Sequence, residues 1–259
     1  MDKLTIPRVQ VFMSTYNGMG YVKEQVDSIM NQEGCYTSIL ARDDGSTDGT
    51  LAVLKSLQAQ YGDRISIIEG NNVGYRKSFL SMLEAANPKM NYYAYSDQDD
   101  YWESDKISRA VELLNSDKGT MLYASALKIA DKDLNVQYVR KYDDLKQTLG
   151  SFFVRTRLAG CTMVFTKELL DIAKKYSNLN FASESMPDHD ALLCMLSLLY
   201  DRKILIDDNA YILHRRHDSA ETSGGRGLMN RIRVEIKRIR ERNYSYQNTA
   251  NLLMQEKKR

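Results

Sequence analysis

The N-terminal part of the chain alternates two hydrophobic patterns. Short apolar runs predict strands, and each run is followed by a segment whose apolar side chains recur every three or four positions, as on one face of a helix. The predicted strands are RVQVFMST, TSILARDD, ISIIE and YYAYSD, and the predicted helices run from Val22, Leu51 and Tyr75. Strands that alternate with helices predict an α/β fold, with a parallel sheet covered on both faces.

Every predicted strand ends in polar residues. These are Ser14 to Asn17, Asp43 and Asp44, Asn71 and Asn72, and Asp97 to Asp100. Ligands of open parallel sheets bind at the carboxyl ends of the strands, so these residues are the first candidates for a binding site. The stretch GSTDGT predicts a turn in which Asp48 is the N-cap of the second helix.

The pattern is less regular after residue 103. Ile107, Val111 and Leu114 predict a helix, TMLYASALKI a strand and DKDLN a turn. Further on, LAGCTMVFT predicts a strand, KELLDIAKKY a helix, DHDALLCMLSLLY a buried helix, and KILID and AYILH two short strands. We therefore expect a single domain over residues 1–225, in which a mixed half (103–225) packs onto the first half (1–102).

Composition places the chain among globular proteins: of its 259 residues, 43% are apolar and 27% charged. Cys35, Cys161 and Cys194 are widely spaced and odd in number, which favours reduced thiols in a cytosolic protein over a disulfide framework or a zinc knuckle. The N-terminus has no signal-peptide pattern, and the longest apolar run, ALLCMLSLLY, is too short to cross a bilayer. These features predict a cytoplasmic protein, free or peripherally attached to a membrane.

The formal charge of +2 is unevenly distributed. Residues 226–259 hold ten Lys and Arg against three Glu, a local charge of +7, so residues 1–225 carry −5. Apolar residues at helical spacing in this tail, Leu228, Ile232, Ile236 and Ile239, predict a basic amphipathic helix. Such a helix lies on an anionic membrane surface or packs on its own domain, and the sequence leaves both open. Nucleic-acid binding is disfavoured, since no platform of aromatic and basic side chains accompanies the helix.

The stretch YSDQDDYW places three carboxylates, Asp97, Asp99 and Asp100, within four residues after a predicted strand. Neighbouring carboxylates in a cleft raise one another's pKa, and a divalent cation removes the conflict. Mg²⁺ or Mn²⁺ fits such oxygen ligands and is typically shared with substrate phosphates. The alternative is a solvated acidic turn that caps the next helix.

Four stretches, MSTYNG, RDDGSTDGT, NNVGYRKSF and SDQDDYW, stand in the order and context seen in inverting family 2 glycosyltransferases of the GT-A fold. The chain resembles this family strongly over about its first 110 residues, and most of all the bacterial rhamnosyltransferase-type branch. The resemblance implies a Rossmann-like GT-A domain with a mixed central sheet. Residues 1–102 would bind a nucleotide-sugar and residues 103–225 an acceptor.

The resemblance also implies a donor site. Its residues would be Thr15, Tyr16, Asn17, Asp43, Asp44, Asn72, Lys77, Asp97, Asp99 and Arg215. Asp43 would accept a hydrogen bond from the N–H of a pyrimidine base, and the alternative for Asp43 and Asp44 is a turn closed by their own side chains. Asn72 is alternatively part of a helix-entry turn and Lys77 a solvated helix residue. Asp97 would approach the ribose or the metal, and Asp99 would hold the metal against the diphosphate.

A further metal ligand and phosphate contacts are implied by ILHRRHDSAETSG, which resembles a family segment near the diphosphate. His217 would ligate the metal, and Arg215 or Arg216 would contact phosphate. The segment departs from the family pattern because His214 stands where a Tyr is usual. A basic surface loop is the alternative.

Sugar transfer also needs a base for the acceptor hydroxyl. In the resembled enzymes an acidic pair opens a helix and its last Asp is the base; in MPDHDALL that residue is Asp190. The alternative for Asp188 and Asp190 is helix capping. The acceptor would be bordered by Asp100, Trp102, Gly160, Cys161, Asp188 and His189.

The resemblance therefore implies an inverting glycosyltransferase that uses dTDP-rhamnose or a UDP-hexose and Mn²⁺ or Mg²⁺. Its acceptor would be a glycan or a lipid-linked glycan in bacterial surface polysaccharide synthesis. A metal-dependent sugar nucleotidyltransferase and an inactive nucleotide-sugar-binding subunit remain as alternatives.

Overall fold

The computed structural model of the chain describes residues 6–154, 158–177, 187–217 and 251–258. Strands and helices follow in this order: β1 (Arg8–Thr15), α1 (Val22–Met30), β2 (Tyr36–Asp43), α2 (Thr50–Tyr61), β3 (Ile65–Glu69), α3 (Tyr75–Glu84), β4 (Tyr92–Ser96), β5 (Tyr101–Trp102), α4 (Lys106–Ser116), β6 (Thr120–Ala130), β7 (Val136–Arg140), α5 (Leu149–Val154), β8 (Val164–Thr166), α6 (Lys167–Ser177), α7 (His189–Leu199) and β9 (Lys203–Arg215). Short 3-10 turns occupy Gly62–Arg64 and Gly160–Thr162.

The described residues form one mixed sheet in the order β3-β2-β1-β4-β8-β6-β9-β5, with β7 paired to β6. The block β3-β2-β1-β4 is parallel, as the sequence predicts, because helices connect its strands. From β8 onwards the directions mix: β8 is antiparallel to β4 and β6, whereas β6 and β9 are parallel. The predicted α/β fold with a mixed central sheet is confirmed.

Helices cover both faces of this sheet, which is why its central strands are buried almost throughout. Successive side chains of a strand point to opposite faces. In β1, Phe12 packs with the buried residues of α3, α6 and α7, whereas Val11 and Met13 pack with those of α1, α2 and α4. The two apolar layers hold the carboxyl ends of the strands in fixed positions at one edge.

Two predictions about the second half differ from the structure. LAGCTMVFT is a strand only at Val164–Thr166, because Gly160–Thr162 forms the 3-10 turn. KILID and AYILH belong to one long strand, β9, whose pairing with β6 shifts register after Asp207. The elements β5, β7 and α5 were not predicted. β7 is exposed at every position, so it has no alternation of buried and exposed residues to signal a strand.

Most of the predicted basic helix, residues 226–250, lies outside the described residues. Residues 251–257 are helical, and Leu253 is 1% exposed within the core that contains α7. Lys257 also donates a hydrogen bond to the carbonyl of Leu199, at the end of α7. The end of the tail therefore packs on the domain. In the described ranges we find no helix that is both long and apolar enough to cross a bilayer.

Candidate active site

The loops after β1, β2 and β4 meet at the carboxyl edge of the sheet, where Thr15 lies opposite Asp43. Gln98, in the loop after β4, is hydrogen-bonded to the backbone of Tyr16, in the loop after β1. Its Oε1 accepts the N–H of Tyr16 at 2.9 Å, and its Nε2 donates to the Tyr16 carbonyl at 3.0 Å. Gln98 was not a predicted site residue, although its place between two clustered carboxylates was a signal. The tyrosine ring itself is 48% exposed and open to a ligand.

The loop after β1 is also tied to the turn before α2. Asn17 adopts the left-handed conformation, with φ of 49°, and its Oδ1 accepts the N–H of Thr47 at 2.8 Å. Asp48 accepts the N–H of Thr50 at 3.0 Å, but the N-cap position belongs to Gly49. The predicted N-cap was therefore wrong by one residue.

Asp43 is 2% exposed, and its carboxylate is already engaged. It accepts the Ser46 N–H at 2.9 Å, the Ser46 hydroxyl at 2.6 Å and the Thr15 hydroxyl at 3.2 Å. The turn considered as an alternative in the sequence is thus present. A contact with a pyrimidine base stays a prediction, and it depends on the remaining lone-pair capacity of this carboxylate.

Asp44, also 2% exposed, anchors the loop before α3. It pairs with Arg42 and accepts the N–H groups of Val73 and Gly74 at 3.0 and 2.9 Å. These contacts give Asp44 a structural role, but toward a distant loop and not in the local turn that the sequence offered as the alternative. Two further predicted donor residues are exposed beside this anchor: Asn72 and Lys77.

The three clustered carboxylates differ in their surroundings. Asp100 has no exposed side-chain surface, and its Oδ1 lies 2.9 Å from Nδ1 of His214. Asp99 is partly exposed, and its Oδ2 lies 2.8 Å from Nε2 of His217. Burial raises the pKa of Asp97, and the charges of Asp100 and Asp99 raise it further. Two of the three carboxylates are therefore paired with imidazoles, which explains how such a cluster is tolerated.

The predicted metal ligands do not form one compact group. Ligand atoms of Asp97, Asp100, Cys161 and His214 all lie within 4.8 Å of one another. Asp99 and His217 instead bond directly to each other. The carboxylate oxygens are the hard ligands that Mg²⁺ and Mn²⁺ prefer. Asp100 also has a buried Oδ2 without a hydrogen-bond partner among the described residues, so the donor set at this edge fits a divalent cation.

Arg215 is not placed to meet a phosphate. The residue is 6% exposed, and its guanidinium donates to the carbonyl oxygens of Asp99 at 2.9 Å and Lys132 at 2.5 Å and pairs with Glu24. It therefore holds the loop that carries Asp99. Arg216 is exposed, with its guanidinium over the ring of Tyr138.

Two residues predicted to border the sugar are completely buried, namely Asp100 and Trp102. The Trp102 ring lies against Lys106, whose Nζ is 3.6 Å from the ring centroid. Neither side chain has a surface that a sugar could contact in this conformation. Cys161, with 2% exposure, is likewise inside, and burial raises the pKa of its thiol well above the ordinary value.

Asp190, the predicted base, lies in the first turn of α7. Burial raises the pKa of its carboxyl to about 7, and the charge of Asp188 adds to the rise. A base with a pKa near neutrality suits general base catalysis. Asp188 is the N-cap residue, but its side chain makes no capping hydrogen bond. The Asp188 carboxylate instead accepts a hydrogen bond from the Tyr75 hydroxyl at 2.9 Å and pairs with Arg76.

His189 sits in an aromatic cage rather than on an open acceptor surface. It is 7% exposed, stacks on Phe79 with ring centroids 4.0 Å apart, and meets Tyr95 edge-on at 4.7 Å. Burial lowers its pKa to about 4, so the imidazole is neutral at pH 7.

The turn Gly160–Thr162 connects the base to the carboxylates. A Cβ on Gly160 would lie 2.7 Å from Nε2 of His189 and 3.3 Å from Cβ of Asp190. The next residue, Cys161, belongs to the group that contains Asp97. In addition, the charge of Asp190 contributes to the raised pKa of Asp97. The structure thus places Asp190, the predicted base, near Asp97, one of the predicted cation ligands.

Comparisons with known proteins bear on this site. A family model described as "Glycosyl transferase family 2" matches residues 10–177. The chain is 31% identical over 212 residues to a dTDP-rhamnosyl transferase, RfbG, of Shigella flexneri; the match covers 80% of this chain and 72% of that protein.

Two solved structures share the fold. The chain resembles S. aureus TarS 1-349 in complex with UDP-GlcNAc, with a TM-score of 0.61, 20% identity, and coverage of 88% of this chain and 66% of that one. It also resembles the mannosyltransferase PcManGT of Pyrobaculum calidifontis in complex with GDP-Man and Mn²⁺, with a TM-score of 0.61, 18% identity, and coverage of 84% and 59%. The chain therefore spans less than two thirds of each of these solved chains.

Proposed function

The chain belongs to glycosyl transferase family 2, and on this premise we propose that it is an inverting glycosyltransferase that uses a nucleotide diphosphate sugar. The acceptor would be a hydroxyl of a glycan or a lipid-linked glycan in bacterial surface polysaccharide synthesis. The name of the Shigella flexneri relative favours dTDP-rhamnose over a UDP-hexose as donor. Nothing in the described residues favours the nucleotidyltransferase or the inactive subunit.

The observation that carries the proposal is the position of Asp190. Its carboxyl, with a pKa raised by burial to about 7, lies across the turn at Gly160 and Cys161 from the buried carboxylate cluster. A proton acceptor thus stands beside a separate group of acids at the carboxyl edge of the sheet. Single-displacement sugar transfer needs these two functions next to each other.

In the proposed reaction, Asp190 takes the proton of the acceptor hydroxyl while the hydroxyl oxygen attacks the anomeric carbon. The bond from that carbon to the nucleoside diphosphate breaks, and the anomeric configuration inverts. Asp97 and Asp99, with His217 released from its bond to Asp99, would hold a divalent cation, which when bound would stabilise negative charge on the departing diphosphate. Arg215 donates a hydrogen bond to the backbone carbonyl of Asp99 and so fixes the loop that carries the Asp99 carboxylate.

The test is a thermal-shift screen of dTDP-rhamnose, UDP-glucose, UDP-GlcNAc and GDP-mannose with Mn²⁺, followed by donor hydrolysis and transfer assays with the donors that bind. A ligand that binds only the folded state raises the melting temperature. We expect dTDP-rhamnose to give the largest shift and chelator to abolish it. Asp99→Ala should lose the metal-dependent shift, and Asp190→Asn should keep the shift but lose turnover. No shift with any donor, or full turnover in Asp190→Asn, would contradict the proposal.

A contact of residues 226–250 with the inner face of the membrane belongs to the same proposal. Its test replaces Arg231, Arg233, Arg238 and Arg240 by Gln, which leaves the packed residue Leu253 in place. The variant should bind vesicles containing anionic lipid less than the wild type does, whereas donor hydrolysis should be unchanged. Equal vesicle binding by the two proteins would remove the membrane contact.

A further inference from the structure

The start of α3 is joined to the start of α7 through one carboxylate. Oδ1 of Asp188 accepts a hydrogen bond from the Tyr75 hydroxyl at 2.9 Å and is paired with the Arg76 guanidinium. Two residues after Asp188 comes Asp190, in the first turn of α7. The orientation of this turn therefore depends on a contact with α3.

The start of α3 is itself held by the end of β2. Asp44 binds the N–H groups of Val73 and Gly74, and its partner Arg42 donates to the carbonyl of Asn71 at 3.1 Å. Gly74, with φ of 81°, is the N-cap residue of α3. A continuous series of contacts thus runs from the predicted nucleotide-binding edge, through the loop 71–74 and α3, to the base.

The pair of Arg76 and Asp188 has no clear value for stability. Their side chains are 42% and 32% exposed, and ion pairs of this kind contribute little to the free energy of unfolding. Helix capping does not account for Asp188 either, because its side chain makes no capping hydrogen bond. Direct contact with an acceptor through Oδ1 would compete with the two donors that already occupy this atom.

We propose that Arg76 and Asp188 are positioning residues for Asp190, and that they link the order of the donor loop to the placement of the base. The inference rests on the proposed function, because it assigns their role to the same transfer reaction. Arg76 and Asp188 would act by fixing the first turn of α7 and by setting the charge beside the base. The effect of each then depends on the presence of the other.

The charges around Asp190 give this proposal a distinct signature. The charge of Asp188 raises the pKa of the base and that of Arg76 lowers it. Among the described residues, Tyr95, Asp97, Tyr142 and Cys194 also interact electrostatically with Asp190. None of these four is removed by changing the pair, so a shift in the pKa of Asp190 reports on Arg76 and Asp188.

The experiment compares Arg76→Gln, Asp188→Asn and the double variant with the wild type. Arg202→Gln is the matched control, because Arg202 makes a similarly exposed ion pair with Glu168, away from the base. We expect kcat of donor hydrolysis or transfer to fall by about ten- to hundred-fold in each single variant. The Kd of dTDP or UDP with Mn²⁺ should change less than about two-fold, since neither Arg76 nor Asp188 is among the predicted donor-binding residues. The double variant should be no worse than the poorer single variant, because both changes break one contact.

The pKa of Asp190, followed by carboxyl ¹³C NMR, should rise in Arg76→Gln and fall in Asp188→Asn. Multiplicative losses in the double variant, an unmoved pKa of Asp190, or an equal loss in Arg202→Gln would each overturn the positioning role. The NMR measurement needs no donor, so it separates this inference from the proposed function. If Asp190→Asn is inactive while Arg76→Gln and Asp188→Asn match the wild type, the positioning role is wrong and the transferase stands. If the wild type acts on no donor, the proposed function is wrong, and the positioning role is wrong as well because it rests on that function.

Discussion

Nδ1 of His214 lies 2.9 Å from Oδ1 of Asp100, a carboxylate with no exposed surface. Burial opposes a charged imidazole, but Asp100 raises the pKa of His214 above its ordinary value. The Arg215 N–H also donates to the same oxygen, at 3.3 Å. This pair compensates the innermost carboxylate of the cluster, so the departure from the family pattern at His214 has a structural reason.

Replacing His214 by Phe should therefore destabilise the protein. Removal of one partner leaves an uncompensated buried charge, which costs about 3–5 kcal/mol. Urea unfolding in the presence of chelator would measure the loss, and Asp100→Asn in the same background should recover part of it. Lys167→Gln, which breaks an exposed ion pair on α6, is the control and should change the free energy of unfolding by less than about 0.5 kcal/mol. An equally small change in His214→Phe would show that Asp100 is not held by this histidine.

Lys106→Met should stabilise the protein. Lys106 is completely buried over Trp102, and its Nζ has no hydrogen-bond partner among the described residues. Burial lowers its pKa to about 7, although Cys161 and Asp100 oppose the shift. Because the pKa is lower in the folded than in the unfolded state, the cost is full below pH 7 and disappears above about pH 10.4.

The gain in free energy of unfolding for Lys106→Met should accordingly be largest at pH 6 and absent at pH 10.5. Chemical denaturation at several pH values between these limits measures it. A loss of stability at every pH would mean that the ammonium group is compensated by the nearby carboxylates, and that our assignment of an unpaired lysine is wrong.

Gly160→Ala should impair catalysis more than folding. Its Cβ would lie 2.7 Å from Nε2 of His189 and 3.3 Å from Cβ of Asp190, so the start of α7 must move. A displacement of about 1 Å in a catalytic group can cost about a hundred-fold in rate. Gly150→Ala is the control, because a Cβ there meets nothing within 4 Å. Steady-state assays and melting temperatures of both variants test this, and equal activities would show that the turn yields without disturbing the base.

The pH dependence of the reaction should follow Asp190. Its pKa of about 7 means that kcat/KM rises as the pH increases through 7, because only the ionised carboxylate accepts the proton. Asp190→Asn should lower the rate by about 10²- to 10⁴-fold and flatten this limb of the profile. If kcat/KM of the variant still rises through pH 7, the ionisation belongs to another group.

Ionisation of Asp190 should lower the free energy of unfolding. The pKa of Asp190 is raised in the folded state, from about 3.9 in the unfolded chain, so ionisation favours unfolding. This cost is absent well below pH 4, grows between pH 4 and 7, and is constant above. Asp190→Asn should therefore raise the melting temperature at pH 8 but not at pH 3.5. A lower melting temperature at pH 8 would indicate that the carboxylate is needed for packing.

The sequence by itself determined the parallel half of the sheet and the strand ends at which the candidate site lies. Its signals there are local: the period of the apolar residues in β1 and α1, and the polar residues that follow each strand. Parallel strands bring their carboxyl ends to one edge, so Thr15 and Asp43 had to become neighbours once the elements were known. Asp190 was predicted to be the base from the resemblance of MPDHDALL to a family segment, and that role stays a prediction.

Only the tertiary structure decided which of these groups are exposed at the strand ends and which are buried against other elements. Asp44, Asp100, Trp102 and Arg215 looked like site residues, yet their burial and partners depend on segments distant in the chain, such as the loop 71–74 and β9. Arg76 and Asp188 lie 112 positions apart, and no local pattern reports their contact. The physical reason is that hydrophobic periodicity and residue spacing report on a single helix or strand. The ion pairs and hydrogen bonds that compensate buried charges form between elements that are distant in the chain and meet only in the folded protein.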